Sequence, residues 1–316
     1  MDEEVFIRAF DRKIILFVRL NILFIFALVI ELLALIIFIP FFVKSALLAF
    51  IVALFFLTIF SYFILRQYLE SQKLSYFETL VENLPTMAPL EMARLCTRMA
   101  HKLYQREYKY YVPPRLFNFL SLFFERLSAW IHWHDVHLMR ELLLQRAVDE
   151  HLQLVKEEPT NPDAHALLAN AYVMLSGLYV DPRTLEYKDT ERWIPEEKYG
   201  KKMREEFQKT AQKAVEEFKI LKEYAPNDPW IYMQLAYSYR DLQMPEEEKE
   251  AYRCILNLRP DDYEAQFKLG TLYFKRGENA RGLKVFEELK KANYAKADEL
   301  LFLYTNKFKN WEKDSV

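Results

Sequence analysis

Residues 229–260 read PWIYMQLAYSYRDLQMPEEEKEAYRCILNLRP, and this stretch decides the fold. Its Leu-Ala-x-x-Tyr pattern, which begins at Leu235, returns 34 residues later as Leu-Gly-x-x-Tyr from Leu269. Pro226 and Pro260 stand in the same register. A 34-residue period of this kind indicates pairs of helices that stack into a solenoid, a type of scaffold that binds other proteins. We therefore predict an all-α solenoid in the C-terminal part of the chain.

Around this period the sequence resembles the tetratricopeptide repeat (TPR) family. That family places a large residue, Leu-Gly or Leu-Ala, and Tyr on helix A of each repeat, and Ala, an aromatic residue and a closing Pro on helix B. Copies of the pattern begin at Pro162, Pro229 and Tyr263. In such repeats the stacking of neighbouring helix pairs supplies the core. The resemblance assigns this packing to Leu168, Ala169, Tyr172, Leu235, Ala236, Tyr239, Leu269, Gly270 and Tyr273.

The copy that begins at Pro162 departs from the family pattern. Its helix B pattern, which opens at Ala214, arrives 33 residues late, so we predict an insertion that lengthens the loop and both helices. Upstream, residues 138–158 match a helix B alone, which is half a repeat. Downstream, residues 297–311 match a helix A that can cap the stack. The predicted solenoid is therefore residues 138–316.

The resemblance also implies a binding groove, because helix A residues line the concave surface in this family. Chaperone-binding members hold a C-terminal carboxylate with Lys and Asn, but the equivalent Lys position here is Ala166, so that activity is not implied. The mixture of aromatic, methionine and cationic side chains favours an amphipathic helix or an extended peptide of some acidic character. The implied groove residues are Asn170, Met174, Met233, Tyr237, Arg240, Phe267, Lys268, Thr271, Phe274 and Lys275.

Two apolar segments predict a membrane hairpin in residues 1–69, with spans at about 14–39 and 46–65. Each has about the twenty residues that a helix needs to cross a bilayer. The short PFFVKS segment, which begins at Pro40, turns the chain between them and makes the two helices antiparallel. Basic residues precede the first span and follow the second, which predicts that both termini are cytoplasmic. We expect an integral protein of the bacterial inner membrane.

Two details of the hairpin bear on its partners. Ala46, Ala49 and Ala53 form a small-residue stripe that would allow a homo-oligomer through the transmembrane helices. Glu31 is either a proton or partner site, or a protonated carboxyl group that faces the second helix or a neighbouring copy. We favour the second interpretation, since two spans with one acid make a poor transporter.

Residues 70–137 are predicted to form a helical connecting region. Pro85 ends one helix, and Pro89 suits the first turn of the next. Residues 115–135 predict an amphipathic helix that is mostly aromatic and apolar. It is either an interfacial helix that lies on the bilayer or a helix buried between the connecting region and the solenoid. Its narrow polar stripe, which is less basic than interfacial helices usually show, favours burial: Asn118, Ser121, Glu125, Ser128, His132 and Asp135.

Composition argues against several classes of function. The five glycines are scattered, so the chain has no glycine-rich loop for a nucleotide phosphate. The net charge of −2 gives no general attraction for nucleic acid. The cysteines, Cys96 and Cys254, have no metal-ligand spacing. His134 and His137 share a helix face but have no third ligand at a matching step. We therefore predict no cofactor, no metal and no enzymatic activity.

These patterns favour a membrane-anchored scaffold or adaptor that binds a protein or peptide through the concave face of the solenoid. One alternative is a secreted bacterial effector in a host-derived membrane, since the hairpin resembles the bilobed hydrophobic region of chlamydial inclusion membrane proteins. A metalloenzyme centred on His134 and His137 is a third hypothesis.

Overall fold

The computed structural model describes residues 2–42, 46–113, 115–181, 196–302 and 304–305. Within these ranges the chain forms helices and no strands, which confirms the all-α prediction. Short 3-10 helices lie at Arg106–Tyr108, Arg115–Leu120 and Glu196–Lys198. The α-helices are α1 (Glu3–Phe42), α2 (Ala46–Glu82), α3 (Pro89–Lys102), α4 (Ser121–Glu157), α5 (Pro162–Tyr179), α6 (Lys201–Tyr224), α7 (Pro229–Asp241), α8 (Pro245–Leu258), α9 (Tyr263–Arg276) and α10 (Asn279–Lys291).

The chain divides into two compact units. The hairpin unit comprises residues 1–150 and 181–199, and the repeat unit comprises residues 151–180 and 200–316. The domain boundary predicted at residue 138 falls inside α4, which has no glycine or proline between Ser121 and Glu157 and continues as one helix. A helix without either residue has no local cause to end or bend there.

In the hairpin unit α1 and α2 run antiparallel. The rings of Phe10 and Phe77 lie 5.2 Å apart, and the Thr58 hydroxyl donates to a Glu31 carboxyl oxygen at 2.7 Å. This contact matches the interpretation in which Glu31 faces the second helix. The helix α1 continues two residues past Pro40, so the predicted turn does not begin at that proline, and the rest of the turn, 43–45, lies outside the described residues.

Both hairpin helices meet the length and composition of a membrane span. The segments Glu3–Ile37 and Leu48–Glu82 contain windows with mean hydropathies of 2.9 and 2.6. Large apolar side chains along these windows, such as Phe26 and Phe60, are exposed rather than packed inside the chain. Apolar surface of this extent is costly when it is exposed to water.

The remainder of the hairpin unit packs around the N-terminal part of α1 and the C-terminal part of α2. Arg98 of α3 binds Glu3 at 2.7 Å, and Arg106 binds Asp11. The side chains at the centre of this core are fully buried: Phe6, Phe10, Ile14, Phe77, Met99, Leu103, Met139 and Leu143.

In the repeat unit the first helix of each pair begins in the same way. The side chains of Asn161, Asp228 and Asp262 accept hydrogen bonds from backbone N–H groups of the first turns of α5, α7 and α9. Such capping satisfies donors that a helix start leaves unpaired. The connections from α7 to α8 and from α9 to α10 are two or three residues long, so the paired helices are antiparallel neighbours.

The first pair is longer than the others. Helices α5 and α6 have 18 and 24 residues, against 13 or 14 in α7 to α10. Residues 182–195 of the predicted insertion lie outside the described residues. Tyr199, which follows these residues, belongs to the hairpin unit, and its ring lies edge-on to the Trp133 ring of α4 at 5.5 Å. After α10, residues 297–302 and 304–305 are helical, within the predicted cap.

Candidate protein-binding surface

The residues assigned to packing between repeats are buried. All nine have less than a tenth of their surface accessible, from Leu168 on α5 to Tyr273 on α9. Gly270 shows why the pattern needs a small residue: an added Cβ would lie 3.0 Å from a Val285 methyl group and 3.1 Å from one of Leu300. The equivalent Ala236 is fully buried. These positions set how closely the helices approach.

The ten groove residues differ in exposure. Asn170, Met174, Arg240 and Lys275 are exposed, and four more are half-buried: Met233, Tyr237, Lys268 and Thr271. All eight lie on α5, α7 and α9, which are the first helices of three successive pairs. Each of these helices therefore offers side chains to a ligand.

Phe267 and Phe274 are only 8% and 2% exposed. Phe267 packs against the Tyr294 ring at 6.1 Å, and Phe274 against the Tyr304 ring at 5.3 Å. An added Cβ on Gly282 would come within 2.6 Å of the Phe274 ring, so this ring fills the space that the glycine leaves. Both rings therefore pack against the segment that follows α9. Sequence reasoning placed them on the helix face but could not show that this segment covers it.

The cationic groups of the surface are partly neutralised by neighbours on their own helices. The Arg240 guanidinium lies 5.3 Å from the Tyr237 ring centroid and 3.1 Å from the Asp241 carboxylate. Burial alone would lower the Arg240 pKa, but Asp241 outweighs it and the pKa is raised. Lys268 lies 3.8 Å from Glu264. The surface is mildly basic, and the Arg240 guanidinium is held by the aromatic ring beside it and by the Asp241 carboxylate.

A buried lysine with two carboxylate partners was not predicted from the sequence. The Lys249 ammonium, on α8, binds Glu246 at 2.7 Å and Glu278, at the start of α10, at 2.9 Å. Both carboxylates hold the pKa of Lys249 above its usual value. Lys249 follows three glutamates at the start of α8, as a lysine on a solvated face would, so the sequence carries no signal that this lysine turns inward.

His132, His134 and His137 of α4 lie in different surroundings. His132 Nδ1 is 3.2 Å from an Asp135 oxygen, His134 is exposed, and the His137 ring stacks on Trp133 at 4.5 Å. Burial, followed by the positive charges nearby, lowers the His137 pKa to about 3. Within the described part of the chain, no three His, Cys, Asp or Glu side chains are grouped as metal ligands would be.

Neither a protein-family model nor a curated protein sequence matches this chain. Among solved structures it is similar to MamA, residues 41 to the end, from Desulfovibrio magneticus RS-1, with 14% identity, 69% of this chain and 94% of that chain covered, and a TM-score of 0.34. It is also similar to TTC0263, a thermophilic TPR protein in Thermus thermophilus, with 17% identity, 68% and 97% coverage, and a TM-score of 0.32.

TM-scores this low do not assign the fold by themselves, so the assignment rests on the helix pairs of this chain. They share their capping residues and buried packing positions in a 34-residue register. The repeat unit therefore has the TPR-like helical repeat fold that the sequence predicted.

Proposed function

We propose that this protein is a membrane-anchored scaffold that binds a protein partner through the concave face of its repeat unit. The observation that carries the proposal is the combination, in one chain, of TPR-like helix pairs with exposed side chains on their first helices and two apolar helices with exposed surfaces. The adaptor holds its ligand and performs no chemistry on it.

Membrane anchoring is supported by the distribution of charge along the hairpin. Arg12 and Arg19 are exposed near the start of the first apolar segment, and Arg66 is exposed after the second. Cationic residues at these ends favour a hairpin with both termini in the cytoplasm, in a bacterial inner membrane. Anchoring confines the repeat unit to the membrane surface and raises its effective concentration there, so a groove of modest affinity suffices.

The chemistry of the exposed surface defines the ligand class. Met233 and Tyr237 offer half-buried apolar contacts, while Arg240, Lys268 and Lys275 offer cations along α7 and α9. A peptide segment with apolar residues on one face and acidic residues beside them complements this set. An amphipathic helix or an extended acidic peptide of a partner protein fits the description.

Photo-crosslinking from the full-length protein in cells tests the proposal. A benzoylphenylalanine placed at Met233 or Tyr237 should crosslink to one and the same protein. The matched control is Lys284 on α10, which is well exposed but belongs to the second helix of its pair. The charge reversal Arg240→Glu should weaken the crosslink several-fold. Identical products from Met233 and Lys284 would argue against a groove ligand.

A further inference from the structure

From Ser128 onward, the helix that begins at Ser121 has its polar face turned inward. Of the residues predicted as a polar stripe, Ser128, His132 and Asp135 are buried, whereas Asn118, Ser121 and Glu125 near its start are exposed. The opposite side is exposed and apolar, with accessible fractions of 55% for Leu122, 59% for Phe123 and 54% for Trp130, and Phe119 in the preceding 3-10 helix is 79% exposed. A surface helix of a water-soluble protein has the reverse arrangement. We call these four side chains the aromatic face.

The inward orientation is fixed by buried polar contacts. Asp135 binds the Lys73 ammonium of α2 at 2.8 Å and His132 at 3.2 Å. Burial alone would raise the Asp135 pKa, but His132 and Lys73 outweigh it and the pKa is lowered. The Ser128 hydroxyl accepts from the Tyr110 backbone N–H at 3.1 Å. Rotating α4 to cover the aromatic face would break this buried ion pair, which is strongly unfavourable.

The same network places this part of α4 beside the apolar part of the hairpin. The Tyr111 ring stacks on His132 at 5.7 Å, and its hydroxyl accepts from the Asn21 amide at 2.8 Å. Asn21 directly precedes the dense run of exposed apolar residues from Ile22 to Ile37 of α1; before it, Val5, Ile15 and Leu16 are also exposed. Farther along α4, Arg140 donates to the Ala100 carbonyl of α3. Arg140 of α4 thus contacts α3, whereas His132, two turns earlier, contacts Tyr111, which is bonded to Asn21 at the edge of the apolar hairpin surface.

We propose that the aromatic face lies in the interfacial zone of the same bilayer that the hairpin crosses. This inference rests on the proposed membrane anchoring and adds a third lipid contact to it. The occupant is lipid because the contacts from His132 through Tyr111 to Asn21 place this end of α4 at the edge of the exposed apolar surface of the hairpin. Tryptophan suits the headgroup zone, and the exposed Arg126 on this stretch can extend its guanidinium to the phosphates.

Environment-sensitive labels on the full-length protein in lipid vesicles test this contact. The labelling background is Cys254→Ala, since Cys96 is fully buried and burial raises its pKa to about 12, so its thiol reacts slowly. The fluorophore NBD is attached through Phe123→Cys or, independently, Trp130→Cys. The controls are Phe56→Cys, in the exposed apolar part of α2, and Arg94→Cys, exposed on α3.

The expected result is that labels at 123 and 130 are several-fold less quenched by aqueous iodide than the label at 94. They should be quenched by lipids with a nitroxide near the headgroup more than by lipids with a deep nitroxide. If iodide quenches the label at 123 as strongly as the label at 94, while the label at 56 is protected, this inference is overturned and membrane anchoring stays intact. Iodide access at position 56 would refute the anchoring itself. Since the substituted side chains are exposed, the variants should fold.

Discussion

At the residue scale, two glycines inside helices experience opposite surroundings. Gly282 of α10 touches the Phe274 ring so closely that any Cβ would overlap with it, whereas Gly177 of α5 has open space around its Cα. Helix propensity favours alanine over glycine at both positions by about 1 kcal/mol. Packing therefore decides whether a Gly→Ala substitution stabilises or destabilises the protein at each site.

We expect Gly282→Ala to destabilise the protein by about 1–3 kcal/mol, as overpacking does, because the Phe274 ring must move out of its buried position. Gly177→Ala is the matched control and should stabilise the chain by about 0.5–1 kcal/mol. Thermal unfolding of the full-length protein in detergent, followed by circular dichroism, gives both shifts in Tm. An unchanged or higher Tm for Gly282→Ala would contradict the packing described for Phe274.

At the scale of elements, a single histidine joins α5, α6 and the turn before α5. His165 Nδ1 lies 2.6 Å from a Glu217 oxygen of α6, and Nε2 lies 2.9 Å from the Pro159 carbonyl oxygen. Both ring nitrogens thus face acceptors, which suits the doubly protonated ring. Burial alone would lower the His165 pKa, but Glu217 and the Pro159 carbonyl outweigh it and raise the pKa.

This pairing predicts a pH dependence. Because the folded-state pKa lies above the unfolded value of about 6.5, the stabilisation is complete below that value and is lost as the pH rises through the folded-state pKa. Glu217→Gln should therefore lower the Tm more at pH 6 than at pH 9. The other titrating groups affect the Tm of variant and parent alike, so their effect cancels when the two proteins are compared at the same pH. Equal differences at the two pH values would show that His165 carries no charge in this pairing.

Sequence reasoning succeeded for elements where a local pattern determines the outcome. The 34-residue register and the break at Pro85 are local, and the helices α7 to α10 follow from the register. Sequence reasoning was less successful where the orientation or burial of a residue depends on a partner far away in the sequence. The stripe around Asp135 is visible in the sequence, but its inward direction depends on Lys73, 62 residues away. In the same way, the burial of Phe274 depends on Tyr304, which follows the last pair.

At the scale of the whole molecule, the hairpin predicts a topology. With both termini cytoplasmic, a fluorescent protein fused after Val316 or before Met1 should fluoresce in a bacterial host, and alkaline phosphatase fused at either end should stay inactive. Phosphatase inserted at Lys44, between the two predicted spans, should be active, because this orientation would place that position in the periplasm. The reverse pattern of activities would refute the orientation assigned from the basic residues.

The hydrogen bond between Thr58 and Glu31 bears on how the chain enters a bilayer. Alone in hydrocarbon, a helix with a carboxyl group near its middle is disfavoured by about 2.5–3.5 kcal/mol. The hydroxyl group that donates to one oxygen of this carboxyl belongs to α2, which is synthesised later. We therefore expect α1 to remain beside the insertion machinery until α2 has emerged, so that the two helices are released into lipid as a pair.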